Sequence, residues 1–282
     1  MRIIITGANG QLGQALQQVL DTHDVIPTDI PEYDITDPVI VQQFTDMRPE
    51  LIIHCAAMTD VDGCAREPDT AFKINAFGTQ NIAHACLRTN ADMLYVSTNE
   101  VFDGRADTPY TETDPPHPIN AYGSSKQSGE QMAARYLKDK LYIARTAWLY
   151  GDNQRMFPAK IIAAADKHGE LRVVTDEVSN PTYAPDLAEA MAKLIETRTY
   201  GIYHFTNAGY CSRYDFAKEI LRLAGRDHIP IQPITLADYP RSSAVPHFTA
   251  LANTRGAALG IKLRPWQAAL AAYFGVQTDR NK

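Results

Sequence analysis

Residues 3–13 of the chain read Ile-Ile-Ile-Thr-Gly-Ala-Asn-Gly-Gln-Leu-Gly and decide the interpretation of its fold. An apolar run passes directly into glycines spaced G-x-x-G-x-x-G, and a segment with helical spacing follows. Glycine permits a tight turn, close approach of the backbone to a pyrophosphate, and close packing of a helix on a strand. The free N–H groups at the start of such a helix then face the anion. We therefore predict that Gly7, Gly10 and Gly13 form a dinucleotide-binding turn.

The first 150 residues alternate between short apolar runs and stretches with helical spacing. The apolar runs are rich in Ile, Val and Leu, which is typical of buried parallel strands, and they cover residues 3–6, 25–27, 51–55, 93–97 and 141–145. This alternation predicts an α/β fold with a Rossmann-type doubly wound parallel sheet. Because the rhythm changes after about Gly151, we expect an NAD(P)-binding domain over residues 1–150 and a smaller α/β substrate-binding lobe over residues 151–282. That boundary is approximate and allows residues after 151 to cross back into the first domain.

Composition excludes several other classes of protein. The chain has 282 residues, of which 45% are hydrophobic and 21% charged, as in ordinary globular proteins. Its net charge of −6 gives no electrostatic reason to expect nucleic acid or an anionic membrane as partner. The first ten residues form a strand and a turn rather than a signal peptide, and the four cysteines include no C-x-x-C pair. We therefore expect a cytoplasmic protein with reduced thiols.

Asp29 indicates which dinucleotide binds. It follows the second predicted strand, where an acidic side chain accepts hydrogen bonds from the ribose hydroxyls of adenosine. The next residues, Ile30, Pro31 and Glu32, include no Arg, Lys or Ser that could hold a 2′-phosphate. The expected cofactor is NADH or NADPH, with NADH slightly favoured.

A second motif, Tyr-Gly-Ser-Ser-Lys, covers Tyr122 to Lys126. A spacing of four at the start of a predicted helix puts the phenol and the ammonium on one face. A nearby cation favours the phenolate, so we expect Lys126 to lower the pKa of Tyr122 and make it an acid–base group for a carbonyl or an alcohol. Thr98 ends the preceding strand segment, where its hydroxyl reaches into the cofactor crevice.

A longer ordered series of motifs runs along the chain. It comprises Ala56–Thr59, Val61-Asp62, Asn75, Ser97–Gly104, Tyr122-Gly123, Lys126, Gly129-Glu130, Arg145–Gly151, Asn180–Thr182 and Leu263–Trp266. On these residues the chain resembles, essentially end to end, the dTDP-4-dehydrorhamnose reductase family of the extended short-chain dehydrogenase/reductase superfamily.

The resemblance implies a reaction and a set of site residues. The reaction is NAD(P)H-dependent reduction of the C4 keto group of a nucleotide-linked 4-dehydro-6-deoxy sugar, first of all dTDP-4-dehydro-L-rhamnose to dTDP-L-rhamnose in dTDP-rhamnose biosynthesis. Tyr122 would give the proton, Lys126 would hold the nicotinamide ribose, and Thr98 would bind the keto oxygen. Asn99 and Trp148 would contact the substrate. The implied cofactor contacts are Gly10, Gln11 and Leu12 at the pyrophosphate, Asp29 at the ribose, Asp34 and Ile35 at the adenine, and Ala57, Met58 and Thr59 beyond the third strand.

The sequence departs from the family's pattern in places that bear on function. Asn99 and Glu100 stand where an Asp-Tyr pair is usual, and Val245 stands where an Arg usually precedes a proline. Ala15 and Ala268 replace carboxylates that belong to the Mg²⁺-linked dimer of some members. We therefore expect no metal site, and a monomer or a metal-independent homodimer.

Two alternative functions stay open. The run from Thr98 to Glu100 resembles the Thr-Asp-Glu of nucleotide-sugar 4,6-dehydratases, and an epimerase belongs to the same alternative. Some members of the resembled family serve as non-catalytic regulatory subunits of a methionine adenosyltransferase. The intact pair of Tyr122 and Lys126 argues against a purely regulatory role.

Overall fold

The structure, a computed structural model, describes residues 1–152 and 156–276. Its β-strands are β1 (Arg2–Thr6), β2 (Asp24–Thr28), β3 (Leu51–His54), β4 (Asp92–Thr98), β5 (Leu141–Thr146), β6 (Leu149–Tyr150), β7 (Leu171–Val174), β8 (Val178–Ser179), β9 (Thr182–Tyr183), β10 (Gly201–His204), β11 (Cys211–Ser212) and β12 (Ile231–Ile234). Its α-helices are α1 (Gln11–Val19), α2 (Val39–Met47), α3 (Val61–Arg66), α4 (Pro68–Phe72), α5 (Thr79–Thr89), α6 (Ala121–Leu137), α7 (Phe157–His168), α8 (Ala184–Thr197), α9 (Arg213–Leu223), α10 (Thr254–Ala258) and α11 (Trp266–Tyr273). A π-helical turn covers Lys73–Gly78, and 3₁₀ turns cover Asn99–Val101, Lys138–Lys140 and Leu236–Asp238. Over these ranges no helix is both long and apolar enough to cross a membrane.

Six strands form one sheet in the order β10-β5-β4-β3-β1-β2, and every neighbouring pair is parallel. The five strands predicted in the first 150 residues are all present, with each end within one residue of its expected place. Strand β2 lies on one side of β1 in the sheet, and β3 lies on the other side. A crevice therefore opens between the carboxyl ends of β1 and β3, which is where ligands bind in doubly wound sheets.

The second half of the chain also contributes to this sheet. Strand β10 pairs with β5 as the sixth strand, and α8 packs against α1 on one face. Residues on both sides of Gly151 thus build the central layer. The division into domains at residue 150 stays a prediction.

Alternating side chains of the central strands enter two apolar layers. Ile3 and Ile5 pack with α1 and α8 on one face, while Ile4 packs with α2 and α5 on the other, and all three are fully buried. A third apolar cluster in the second half surrounds Phe216 and Trp266. The sheet is therefore covered on both faces, as its continuous apolar strands predict.

Candidate active site

The glycine turn joins the end of β1 to α1 at the crevice. Gly7 has a φ of +65°, and a Cβ at this position would lie 2.8 Å from the backbone nitrogen of Ala56 after β3. A Cβ on Gly13 would overlap the carbonyl oxygen of Gly7, so α1 packs directly on the turn. No side chain caps α1 and no acidic residue lies in its first turn, which leaves the first N–H groups for an anion. The turn therefore fits a pyrophosphate.

Gln11 at the start of α1 is a second feature that indicates a ligand site. Its Oε1 atom is buried and has no hydrogen-bond partner among the described residues. The atom lies so close to Gly151 that a Cβ there would overlap it. Leaving a buried acceptor unpaired costs about 1–3 kcal/mol. A bound group with a hydroxyl or amide donor, which a nicotinamide dinucleotide has, fits this position.

Asp29 lies at the end of β2 beside the glycine turn. Its Oδ2 accepts the N–H of Asn9 at 2.9 Å, and its Oδ1 accepts the N–H of Ile30 at 2.9 Å. These bonds hold the carboxylate at the rim of the crevice, where the ribose contact is predicted. Asp34 is exposed and Ile35 is buried, and their contacts with the adenine stay predictions.

The segment Ala57–Thr59, which follows β3, is held by a buried amide. The Oδ1 of Asn75 accepts the N–H of Met58 at 2.8 Å, and its Nδ2 donates to the carbonyl oxygen of Met58 at 3.0 Å. The same Nδ2 donates to Ser125 Oγ on α6 at 2.9 Å. Asn75 therefore ties the predicted cofactor segment to the helix that carries Tyr122. The sequence analysis named Asn75 within the series of motifs but assigned it no role, because these hydrogen bonds join residues far apart in the chain.

Thr98, Tyr122 and Lys126 come together at the carboxyl edge of the sheet. Thr98 ends β4, and the other two side chains lie in the first two turns of α6. Gly123 permits this approach, because a Cβ there would overlap the carbonyl oxygen of Glu100 in the turn after Thr98. The helix can thus lie against the end of β4 only with glycine next to the tyrosine.

Burial changes the proton affinity of both helix residues. It lowers the pKa of Lys126 to about 7, against the opposing charge of Glu130. The Nζ of Lys126 lies 4.2 Å from the centroid of the Tyr95 ring. Burial also raises the pKa of Tyr122 above its ordinary value, although a hydrogen bond with Thr98 opposes this. The pKa of Tyr122 is therefore shifted in the direction opposite to the expectation, because the loss of solvation is the largest effect on it; the other groups that act on it are Thr98, Glu100 and Cys64.

Asn99 is only 3% exposed and uses its amide within the protein. Its Nδ2 donates to Ser179 Oγ at 3.2 Å and to Thr249 Oγ1 at 2.6 Å. Its Oδ1 accepts the hydroxyl proton of Thr98 at 3.2 Å. These three hydrogen bonds indicate that Asn99 fixes the turn after β4. Its contact with the substrate stays a prediction, and one that the geometry does not favour.

Trp148 lies between β5 and β6, with a φ of +40° that is uncommon for a residue other than glycine. The guanidinium carbon of Arg213 lies 3.6 Å from the centroid of a Trp148 ring. The Nε of Arg213 donates to Glu177 Oε1 at 2.9 Å. Arg213 therefore stacks on the indole, while its ion pair with Glu177 holds the guanidinium in place. The sequence analysis missed this role, because the contact joins elements far apart in the chain.

The fold, with a glycine turn at one side of the crevice and a tyrosine–lysine pair at the other, defines a Rossmann-type nicotinamide-dependent oxidoreductase. Comparison with known proteins narrows this class. The family described as RmlD substrate binding domain matches residues 1–278. The dTDP-4-dehydrorhamnose reductase of Aggregatibacter actinomycetemcomitans is 38% identical over 285 residues, which cover 95% of this chain and 97% of that protein.

Two solved structures agree with this sequence comparison. The crystal structure of a dTDP-4-dehydrorhamnose reductase from Clostridium acetobutylicum is 42% identical, with a TM-score of 0.93 over 98% of this chain and 99% of that one. The corresponding reductase from Bacillus anthracis, solved in complex with NADP, is 39% identical, with a TM-score of 0.93 over 97% and 98% of the two chains. The chain belongs to the dTDP-4-dehydrorhamnose reductase family. The predicted fold class and family are confirmed.

Proposed function

We propose that this protein reduces the C4 keto group of a nucleotide-linked 4-dehydro-6-deoxy sugar with NADH or NADPH, converting dTDP-4-dehydro-L-rhamnose to dTDP-L-rhamnose. The observation that carries the proposal is the close approach of the start of α6, which bears Tyr122 and Lys126, to the turn that follows Thr98. This arrangement places a hydroxyl, an acid and a cation at one edge of the sheet. Relatives of nearly the same length bear the name of this reductase, and one was solved with NADP.

Tyr122 is the acid of the proposed reaction. Its raised pKa keeps the phenol protonated at neutral pH, so the phenol can give its proton to the oxygen at C4 as that oxygen becomes an alcohol. The Thr98 hydroxyl turns its one proton from Asn99 to the same oxygen when the substrate binds, and the two hydroxyls together stabilise the negative charge that develops on it. When bound, the nicotinamide supplies the hydride that C4 receives.

The proposed cofactor contacts follow the crevice from one side to the other. Gly7, Gly10, Gln11, Leu12 and Gly13 hold the pyrophosphate, with Asp29 at the adenosine ribose; Ala57, Met58 and Thr59 flank the cofactor beyond β3, and Lys126 holds the nicotinamide ribose. NADH is slightly favoured, because the carboxylate of Asp29 repels a 2′-phosphate and no cation follows it in the sequence.

The experiment that tests the function measures consumption of NADH and NADPH against a panel of nucleotide-linked 4-dehydro-6-deoxy hexoses. We expect turnover with the dTDP-linked sugars. The absence of NADH or NADPH oxidation with every sugar of the panel would contradict the proposal.

The panel includes dTDP-glucose with NAD⁺ as the test for a dehydratase. Dehydration needs an acid for the departing C6 hydroxyl, and the amide of Asn99 cannot supply a proton. A 4-keto-6-deoxy product, detected by its absorbance in alkali, would favour the dehydratase instead.

The proposed assembly is a monomer or a metal-independent homodimer. Ala15 and Ala268 stand where the metal-linked members of the family have carboxylates, so those positions offer no ligand to Mg²⁺. The expected location in the cytoplasm stays a prediction.

A further inference from the structure

Arg213 has a guanidinium group that the protein holds firmly. The residue begins α9, and its side chain is only 20% exposed. Its backbone N–H donates to the carbonyl oxygen of Glu177 at 3.0 Å, and its Nε donates to Oε1 of the same residue at 2.9 Å. Glu177 is itself buried. The main chain and the side chain of Arg213 are thus both anchored to one buried residue, which fixes the guanidinium before any ligand binds.

Two aromatic rings restrict the same guanidinium further. Its central carbon lies 3.6 Å from the centroid of a Trp148 ring and 4.9 Å from the centroid of the Phe157 ring. Because the N–H groups of a guanidinium lie in its plane, stacking on the indole leaves them free to donate. The aromatic contacts therefore orient the donors of Arg213 without using them.

The Nη groups are the unused part of this side chain. Within residues 1–152 and 156–276, neither Nη donates a hydrogen bond to the protein, since Nε makes the one bond of the guanidinium. Neither Nη is sealed from solvent, so a bound molecule can reach both. All the N–H donors of Arg213 except that of Nε thus remain available for a ligand.

One series of contacts places Arg213 at the edge of the sheet where the reduction is proposed. Arg213 stacks on Trp148, which comes two residues after Thr146 at the end of β5. Thr146 pairs with Thr98 in the register of β4 and β5, so the two strands end side by side. The stacked pair of Trp148 and Arg213 therefore follows the strand end next to Thr98.

A second series of contacts leads to the same edge. Asn99, directly after Thr98, donates to Ser179 Oγ at 3.2 Å. Ser179 lies in β8, which pairs with β11, and β11 continues directly into Arg213. Burial raises the pKa of Glu100 to about 7, and the charge of Arg213 is among the effects that oppose this. The guanidinium thus lies within electrostatic reach of the turn that follows β4.

A phosphate group fits this arrangement. The planar fork of a guanidinium matches the spacing of phosphate oxygens and donates to two of them at once. A nucleotide-linked sugar carries its diphosphate at C1, across the ring from C4. With C4 at Thr98 and the sugar against Trp148, as proposed above, the substrate continues toward Arg213 with its diphosphate. Glu177 offsets the charge of Arg213, so this contact depends on the directed hydrogen bonds of the fork.

We propose that the Nη groups of Arg213 bind the diphosphate of the nucleotide-linked sugar, so that the protein selects sugars attached to a nucleoside diphosphate. The inference rests on the proposed function, because it takes the same substrate in the same orientation. It gives Arg213 a direct contact with the substrate in addition to its stacking on Trp148.

The test compares ligands with and without the diphosphate on the full-length protein. Dissociation constants of dTDP and thymidine are measured by isothermal titration calorimetry. Arg213→Gln removes both the charge and the fork, whereas Arg213→Lys keeps the charge alone. We expect Arg213→Gln to weaken binding of dTDP about tenfold, equivalent to about 1.4 kcal/mol, and Arg213→Lys to weaken it by a smaller factor. Thymidine has no phosphate, so its binding should weaken by less than about threefold in either variant.

Arg222→Gln is the matched control on the same helix. The side chain of Arg222 is 58% exposed and pairs with Glu219, so this change should leave both dissociation constants unchanged. The affinity for NADH should also be unchanged in Arg213→Gln, because the pyrophosphate of the cofactor is proposed to bind at the glycine turn. In the reduction assay, Arg213→Gln should raise the KM for the dTDP-linked sugar about tenfold and change kcat by less than about threefold.

The outcomes separate this inference from the proposed function. Equal weakening of dTDP and thymidine in Arg213→Gln overturns the inference, because Arg213 would then act only through Trp148. Unchanged binding of dTDP overturns it as well, as does a loss of affinity for NADH in place of dTDP. A wild-type protein that binds dTDP but reduces no sugar overturns the proposed function instead. If Arg213→Gln does not fold, Arg213→Lys is compared with wild type, and an unchanged ratio of the two dissociation constants overturns the inference.

Discussion

The two sides of the crevice are built in different ways. The proposed cofactor side is mainly backbone: the glycine turn of residues 7–13 and the uncapped start of α1, with Asp29 at the next strand end. The proposed substrate side is made of side chains from distant elements, such as Trp148 stacked on Arg213 and Glu100 bonded to Asn120. A site made of contiguous backbone can be read from local spacing, whereas a site made of long-range contacts depends on the whole fold. The two sides should therefore respond separately to substitution.

Tyr122→Phe gives the largest effect and tests that separation most directly. Removing the phenolic hydroxyl takes away only the proton donor, so reduction should fall about 10²–10⁴-fold while cofactor binding is retained. Turnover is measured by NADH consumption and binding by cofactor fluorescence. Tyr210→Phe, at a side chain that is 48% exposed, is the control and should leave both unchanged. Wild-type turnover in Tyr122→Phe would remove Tyr122 from the reaction.

The turn and the strands of the proposed cofactor side were predictable from the sequence, and the physical reason is their local character. The glycine spacing requires a turn with a positive φ, which Gly7 has, and the apolar runs define buried strands to within one residue. The pKa of Tyr122 could not be predicted, since it depends on how deeply the folded chain buries the phenol. The hydrogen bond between Asn99 and Thr249 could not be predicted either, because it joins residues far apart in the sequence.

Lys126→Ala should affect both sides of the crevice, because one side chain is proposed to bind the nicotinamide ribose and to assist Tyr122. Loss of a charge-assisted hydrogen bond costs about 1.5–3 kcal/mol, so cofactor affinity and turnover should each fall about tenfold or more. Titration with NADH gives the affinity, and turnover at saturating NADH isolates the chemical step. The control is Lys167→Ala, at an exposed lysine in the last turn of α7. An unchanged affinity together with unchanged turnover would refute both roles.

Cofactor preference concerns the cofactor side alone and should change by a smaller factor. Wild type should show a higher kcat/KM with NADH than with NADPH, because Asp29 repels the 2′-phosphate. Asp29→Asn removes a charge–charge repulsion of about 1 kcal/mol, so the ratio of kcat/KM with NADH to kcat/KM with NADPH should fall by about fivefold. Asp34→Asn, at an exposed acid further along the same segment, is the control and should move the ratio less. A wild-type ratio that favours NADPH by about tenfold or more would overturn the preference.

The last prediction concerns stability rather than activity, and it belongs to the proposed substrate side. Burial raises the pKa of Glu100 from 4.5 to about 7, so between these pH values the folded protein binds its proton more tightly than the unfolded chain. The contribution of Glu100 to stability is therefore fully present below about pH 4.5 and is lost as the pH rises through about 7. Glutamine does not titrate, so the Tm of Glu100→Gln minus that of wild type should increase from about pH 5 to about pH 8. Lys126 also has a pKa shifted by burial, but it is present in both proteins and cancels in the difference. Thermal unfolding followed by circular dichroism at the two pH values measures this difference in Tm. A difference that does not increase would show that folding does not raise the pKa of the Glu100 carboxyl.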